Sequence, residues 1–230
     1  MRRSFCLAIV IGLAPLSPPA WATQPVDIEL VLAVDLSGSV DGGEQALQRD
    51  GLAAAFRDRE VVDAIGSLAG GAAMALVGWA GAGQERMLVP WCHLSGRASA
   101  ADFADRIAAA LPARFDSPAK TAIGDALAWS LGALASNAFT GRRVVDVAGD
   151  GRSTDGAYPG PERDKGVAAG ATINGLVILN EEPYLDEYYR LTVIGGPGAF
   201  VMSVADYGDY AEAIRRKLLR ELVPGPTASQ

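Results

Sequence analysis

The run Val26–Val34, VDIELVLAV, constrains the fold more than any other segment. Its second half is unbroken apolar, without the polar alternation of a strand that meets water on one side. It therefore reads as a central strand covered on both faces. The rest of the chain supplies the covers, because alanine-rich stretches with helical spacing alternate with short β-branched runs. Helix is expected over Glu44–Leu68, broken near Arg59, with Leu47, Leu52, Ala55 and Phe56 on its apolar face. Ala72–Trp79 and Glu85–Trp91 read as strands joined by the turn Gly81-Ala82-Gly83, hence a hairpin. Ser99–Leu111 follows as a helix capped by Ser99, then a loop over Pro112–Lys120 and a helix over Thr121–Asn137. Strands over Arg143–Ala148, Thr172–Leu179 and Ala199–Val204 alternate with helices over Pro161–Ala169, Tyr184–Leu191 and Asp206–Leu222. This alternation predicts the α/β class: a Rossmann-like open, mostly parallel sheet with one antiparallel strand from the hairpin and helices on both faces. Residues 23–223 are expected to form one domain, with 224–230 a flexible tail.

The start of the chain follows another logic. Arg2 and Arg3 precede an apolar stretch, Phe5–Leu16; Pro15, Pro18 and Pro19 then break it, and Ala20-Trp21-Ala22 has the A-x-A form of a cleavage site. Residues 1–22 read as a secretory signal peptide cut after Ala22, which places the protein in the periplasm or outside the cell. A membrane span needs roughly 20 apolar residues, more than this interrupted run offers. Arg2-Arg3-Ser4-Phe5 loosely resembles a twin-arginine signal, but the basic region is short and favours the general secretory route. Removing Arg2 and Arg3 leaves 18 basic against 27 acidic residues, so the formal charge moves from −7 to −9. Such a balance argues against nucleic acid, whose phosphates demand a basic face. Cys6 leaves with the signal. Cys92 is then the sole thiol, no intramolecular disulfide is available, and a buried, inert role is expected for it. The single histidine, His93, reads as an ordinary surface or loop residue, and a catalytic triad or histidine zinc site would have to run through it or not exist.

Polar chemistry concentrates at three places where strands or loops hand over to helices. Asp35-Leu36-Ser37-Gly38-Ser39 follows the first strand, with Asp35, Ser37 and Ser39 spaced to aim at one point. Thr121 opens a helix in Lys120-Thr121-Ala122-Ile123-Gly124-Asp125, and Gly149-Asp150-Gly151 follows the strand VVDVA. In open sheets, ligands bind beyond the carboxyl ends of the strands, where strand order reverses. A set of two carboxylates and three hydroxyls suits a hard cation such as Mg²⁺ or Mn²⁺ and suits zinc or copper poorly. Each residue also has an ordinary alternative: Asp35, Ser37 and Ser39 as helix caps, Thr121 as a cap, Asp150 as a turn residue.

The D-x-S-x-S loop, the later Thr and the G-D-G loop resemble the metal-ion-dependent adhesion site of von Willebrand factor A domains. The wider pattern is similar to an exported bacterial family of unknown function carrying that domain: V-x-W and V-P-W in the hairpin, then T-A-I-G-D-A-L and R-R-V-V-D-V-A-G-D-G. The resemblance covers about Asp27 to Leu222. It implies that Ser37 and Ser39 ligate Mg²⁺ directly, with Mn²⁺ or Ca²⁺ as alternatives. Thr121 would bind directly or through water, and Asp35 and Asp150 mainly through water. It departs at Gly149, where many such domains carry Thr or Ser.

The expected function is therefore an exported Mg²⁺-dependent binding module that captures an Asp or Glu carboxylate of a protein partner through an open coordination position. Two alternatives stand beside it. One is a metal-assisted phosphoester hydrolase with Asp35 as nucleophile and Lys120 or Lys165 for phosphate, although Ser37 stands where such chemistry wants a second carboxylate. The other is a structural domain with an empty site. No G-x-x-x-x-G-K-[ST] loop or G-x-S-x-G turn occurs, so no catalytic or cofactor-binding residue is assigned. Asp146, interior to a strand, is expected to be hydrogen-bonded and structural. Asp125 is expected to serve the dipole of its helix, Arg215-Arg216-Lys217 that of the last helix. Trp79 and Trp91 read as core aromatics, and Tyr184, Tyr188 and Tyr189 as a solvated face.

Overall fold

The computed structural model describes residues 23–111 and 120–223. The expected signal peptide (1–22), nearly all of the Pro112–Lys120 loop and the expected tail (224–230) lie outside the described residues. Among the described residues the strands are β1 (Gln24–Asp35), β2 (Ala72–Trp79), β3 (Glu85–Leu94), β4 (Phe139–Gly149), β5 (Thr172–Ile178) and β6 (Val201–Val204). The helices are α1 (Gly42–Ala55), α2 (Arg59–Ser67), α3 (Arg97–Ala110), α4 (Ile123–Ala135), α5 (Pro159–Ala168), α6 (Leu185–Thr192) and α7 (Tyr210–Leu222). One sheet runs in the order β3-β2-β1-β4-β5-β6, with β3 antiparallel to β2 and every other pairing parallel. This is the expected open α/β sheet.

The apolar run of β1 explains the layering. Leu30, Leu32 and Val34 point to one face, against Phe56 at the end of α1 and Ile65, Phe103 and Ile214 from α2, α3 and α7. Val31 and Ala33 point to the other, against Ile123 and Leu127 of α4 and Leu185 and Tyr189 of α6. Because β2 and β3 lie on one side of β1 and β4 through β6 on the other, strand order reverses between β1 and β4. A crevice opens there beyond the strand ends.

The expected break near Arg59 is present. Asp58 stops the first helix from continuing, because its carboxylate accepts from Glu60 N and Val61 N and so starts α2. Several boundaries differ from expectation. Asp41 starts α1 ahead of Glu44 through a reciprocal capping box, its Oδ1 accepting from Glu44 N while Glu44 Oε2 accepts from Asp41 N. Ser99 is not a cap: Gly96 holds that position without a side-chain bond, and the Ser99 hydroxyl donates to Gly96 O inside the first turn. Strand β4 starts at Phe139, four residues early, because it pairs with Gln24 across β1 and stacks its ring on His93. A short 3-10 turn, Tyr207–Asp209, precedes α7.

Lys217 departs most from expectation. It does not serve the helix dipole at the surface but is fully buried, 2.6 Å from Asp146 and 2.7 Å from Glu221. The stripe Ile214, Leu218 and Leu222 of α7 faces the sheet and carries Lys217 and Glu221 inward with it. Asp146 is structural as expected, but it is held by the ion pair with Lys217 and not by the expected hydrogen bonds. Cys92 is half-buried, and burial pushes its thiol pKa up.

Phe56 and Phe103 meet edge to face at 4.8 Å between ring centres, joining the helices of one layer. Phe56→Ala should cost about 3–5 kcal/mol in urea unfolding, the range for removing a buried aromatic ring. A cost below about 1 kcal/mol would show that this layer is not packed as described.

Candidate functional site

The three loops singled out in the sequence meet at the carboxyl ends of β1 and β4. Asp35, Ser37 and Asp150 are buried, Thr121 nearly so, and Ser39 stands exposed at the mouth. The Ser37 and Ser39 hydroxyl oxygens are 3.2 Å apart, and Thr121 Oγ1 is 3.5 Å from Ser37 Oγ. Ser39 Oγ donates to Asp150 Oδ1 at 2.7 Å, and Ser37 N donates to Asp35 Oδ1 at 2.7 Å, closing the turn after β1. All five expected residues therefore lie in one cluster.

Its electrostatics are unbalanced. Asp35 Oδ2 and Asp150 Oδ2 are buried without a hydrogen-bond partner. Among the described residues the nearby cations are engaged elsewhere, Arg152 with Glu182 at 2.6 Å and Lys120 with Asp155 at 3.8 Å. Burial, reinforced by Asp150, pushes the Asp35 carboxyl from 3.8 up to about 8 against the opposing hydrogen bonds from Ser37. Burial also raises Asp150, partly offset by Ser39. Two carboxylates and three hydroxyls, without a basic partner among the described residues, fit a hard divalent cation. Among the described residues no three His, Cys, Asp or Glu gather to hold a metal, so hydroxyls would have to carry much of the coordination.

Thr121 does not cap α4. The helix starts at Ile123 after Ala122, with no side-chain cap, and this leaves the Thr121 hydroxyl facing Ser37. Its backbone is clamped instead by the loop after β4. Thr154 N and Asp155 N donate to Thr121 O at 2.8 and 3.2 Å, and Thr121 N donates to Thr154 Oγ1 at 3.1 Å. Ile123 N donates to Ser153 Oγ at 3.2 Å. Asp125 accepts from Ala157 N at 2.8 Å, so it pins this loop as well as standing in the first turn of α4. Gly124 is required by the same contact, since a Cβ there would lie 2.1 Å from Ala157 O.

Sequence reasoning missed Ser153, Thr154, Gln48 and Tyr189. Gln48, from α1, donates to Asp35 O at 3.2 Å. Tyr189 was expected on a solvated face, but with Leu185 it forms the buried stripe of α6. The buried Tyr189 hydroxyl has no hydrogen-bond partner. It lies beside Gly149: a Cβ on that glycine would sit 2.8 Å from the hydroxyl and 3.0 Å from Asp35 Oδ2. Tyr189 thus crowds the space that a side chain at position 149 would enter. The turn-rich run Ser153-Thr154-Asp155-Gly156 beside G-D-G was the available signal for the clamp; nothing local marked Tyr189.

Residues 25–226 match the family described as "Protein of unknown function (DUF1194)". No curated protein matches the chain. Among solved structures, it is similar to proximal thread matrix protein 1 from the mussel byssus, in a form with a zinc-occupied MIDAS motif. That likeness has a TM-score of 0.58 at 16% identity, over 87% of this chain and 48% of that one. The pilus adhesin SpaC from Lactobacillus rhamnosus GG gives 0.62 at 13% identity, over 85% of this chain and 30% of that one. A von Willebrand factor type A protein from Catenulispora acidiphila gives 0.56 at 20% identity, over 85% and 42%. The chain spans less than half the length of each of these. At such identities the likeness establishes the fold, which is that of von Willebrand factor A domains.

The raised Asp35 pKa sets a pH dependence. The folded state holds this proton more tightly than the unfolded chain, so the contribution to stability is present below pH 3.8 and is lost as pH rises through about 8. With a chelator present, stability should fall between these limits. Asp35→Asn, which can still accept from Ser37 N, should flatten the fall and melt higher than wild type at pH 8. An unchanged pH profile in the variant would contradict this assignment.

Proposed function

Because the chain belongs to this family of unknown function, what it does must be read from its site, and we propose that it is an exported Mg²⁺-dependent protein-binding module of the adhesion type. The observation that carries this reading is the cluster of three hydroxyls around two orphaned carboxylate oxygens, open to solvent at Ser39 and, among the described residues, without a basic partner. Ser37 and Ser39 would hold the cation directly, with Thr121 bound directly or through water. Asp35 and Asp150 would act mainly through water, Asp35 fixing the turn by its bond from Ser37 N and Asp150 orienting the Ser39 hydroxyl. Mn²⁺ or Ca²⁺ would serve the same donor set. When bound, the cation supplies an electrophilic coordination position for a carboxylate from outside. Neutral direct ligands preserve that electrophilicity, which suits an Asp or Glu side chain of a protein partner. The neighbours named for a pilus adhesin and a zinc-occupied MIDAS motif support the same class. Residues 23–223 would be the working domain, delivered to the periplasm or beyond by the segment before them.

The hydrolase alternative lacks its phosphate cation. Lys120 lies near Asp155 and Lys165 pairs with Glu162 at 2.8 Å, while Asp35 is buried with one oxygen bonded to Ser37 N. No feature of the site favours it.

Mg²⁺ should raise the melting temperature, since a ligand at a hundredfold excess over its Kd stabilises by about 2.7 kcal/mol. Ser37→Ala and Asp35→Ala should abolish that shift, and Ser67→Ala, on the surface of α2, should keep it. A partner captured from the exporting cell should be lost on chelation and in Asp35→Ala. Unchanged Mg²⁺ affinity and unchanged partner binding in both site variants would overturn the reading. Gly149→Ser should weaken Mg²⁺ binding by about tenfold or more, the equivalent of 1.4 kcal/mol, by displacing Asp35. Adding Tyr189→Phe should recover part of that loss by opening the crowded space, and no recovery would show that Tyr189 is not the obstacle.

A further inference from the structure

Away from the site, β4 and α7 enclose a group of charges that the binding reading does not use. Lys217, Asp146, Asn174 and Glu221 are all buried on the sheet face covered by α7. One ammonium serves two carboxylates: Lys217 Nζ lies 2.6 Å from Asp146 Oδ1 and 2.7 Å from Glu221 Oε1. The contact with Glu221 is a hydrogen bond, and Asn174 Nδ2 donates to the same Glu221 oxygen at 2.7 Å. The contact with Asp146 is short but lacks hydrogen-bond geometry, and neither Asp146 oxygen has a hydrogen-bond partner. Glu221 Oε2 is likewise buried and unpartnered. Phe200 lies 5.0 Å from Lys217 Nζ, and the Tyr210 hydroxyl is buried nearby without a partner.

Lys217 is the ammonium that faces both carboxyl groups, and three of their four oxygens have no hydrogen-bond partner among the described residues. A buried ion pair recovers its desolvation cost only when its geometry is good and its remaining lone pairs are bonded. Here Lys217 serves two carboxylates, the next cation, Arg142, reaches Glu221 only at its backbone carbonyl, and burial pushes the Asp146 carboxyl up although Lys217 opposes it. The stable relief in a dry core is to remove charge altogether. We propose that Lys217 Nζ and Asp146 Cγ condense to an amide, an intramolecular cross-link between α7 and β4, with Glu221 as the proton carrier. Proton transfer within the 2.6 Å contact converts the ammonium and carboxylate of Lys217 and Asp146 to the reacting amine and carboxylic acid. The amine lone pair forms the N–C bond at Cγ, Glu221 takes a proton from Nζ and returns it to the departing hydroxyl, and the C–O bond breaks. One water leaves, no electron changes hands, and two buried charges become one neutral amide. Asn174 positions Glu221 for this transfer.

Intact-mass spectrometry of the purified wild-type chain, counted from its determined N-terminus, tests the proposal directly. The expected mass is one water below the sequence mass. Proteolytic mapping should yield a branched peptide joining the segments of Asp146 and Lys217, which separates the cross-link from a succinimide at Asp150-Gly151. Glu221→Gln, with an unchanged circular dichroism spectrum, should return to the full sequence mass. A wild-type chain at sequence mass, with Asp146 and Lys217 in separate linear peptides, overturns the proposal, and the wild-type measurement decides this without any variant. Persistence of the branched peptide in Glu221→Gln would remove Glu221 from the mechanism.

Discussion

The reversal of strand order between β1 and β4 is the constraint from which the site follows. Each of these strands needs partners on both sides and helices on both faces, because its residues are apolar in both directions. Chain leaving β1 goes one way to β2, and chain leaving β4 goes the other way to β5. The loops after β1 and β4 therefore diverge and leave a crevice, into which the segment before α4 brings Thr121. Polar side chains can stand there because the strands have ended. Two residues deeper they would have to be buried in the core.

Two buried acidic groups lie along β4, and they are resolved in opposite ways. At the strand end, Asp150 and the facing Asp35 have hydroxyls for neighbours and a solvent-exposed mouth at Ser39, so a cation can enter and leave. Four residues earlier, Asp146 faces the closed side of the sheet, and its counter-charge must come from the chain itself, as Lys217. The open site is suited to exchange with solvent. The closed one is suited to permanence, whether held by ionic contacts or by a covalent bond. Burial raises both Asp35 and Asp146, and what differs is access.

The layered fold was legible because it rests on periodicity. Continuous apolar strands, alanine-rich helices and glycine turns are local signals, and each landed within a few residues of its observed place. The five site residues were legible because they follow strand ends in a recognisable order, although their convergence is a tertiary fact. Features fixed only by distant partners were hidden. Lys217 sits in a basic run that looks like an exposed helix end, and its burial depends on Asp146, far away in sequence. Tyr189 lies in an acidic, tyrosine-rich stretch, and only the packing of α6 beside Gly149 turns its ring inward. Ser99 looked like a cap because serine often is one, but Gly96 already occupied the cap position. Phe139 lies outside the expected strand, which starts at Arg143, yet pairing with Gln24 extends the strand through it.

The central claim is that a hydroxyl-rich crevice holds a divalent cation and keeps one position of it open. Anomalous diffraction from crystals grown with Mn²⁺ tests this most directly. The account predicts a single strong peak among Ser37, Ser39 and Thr121, with the two serine hydroxyls in direct contact and Asp35 and Asp150 reached mainly through ordered water. No peak at that position, or a metal bound by the two carboxylates alone, would contradict it.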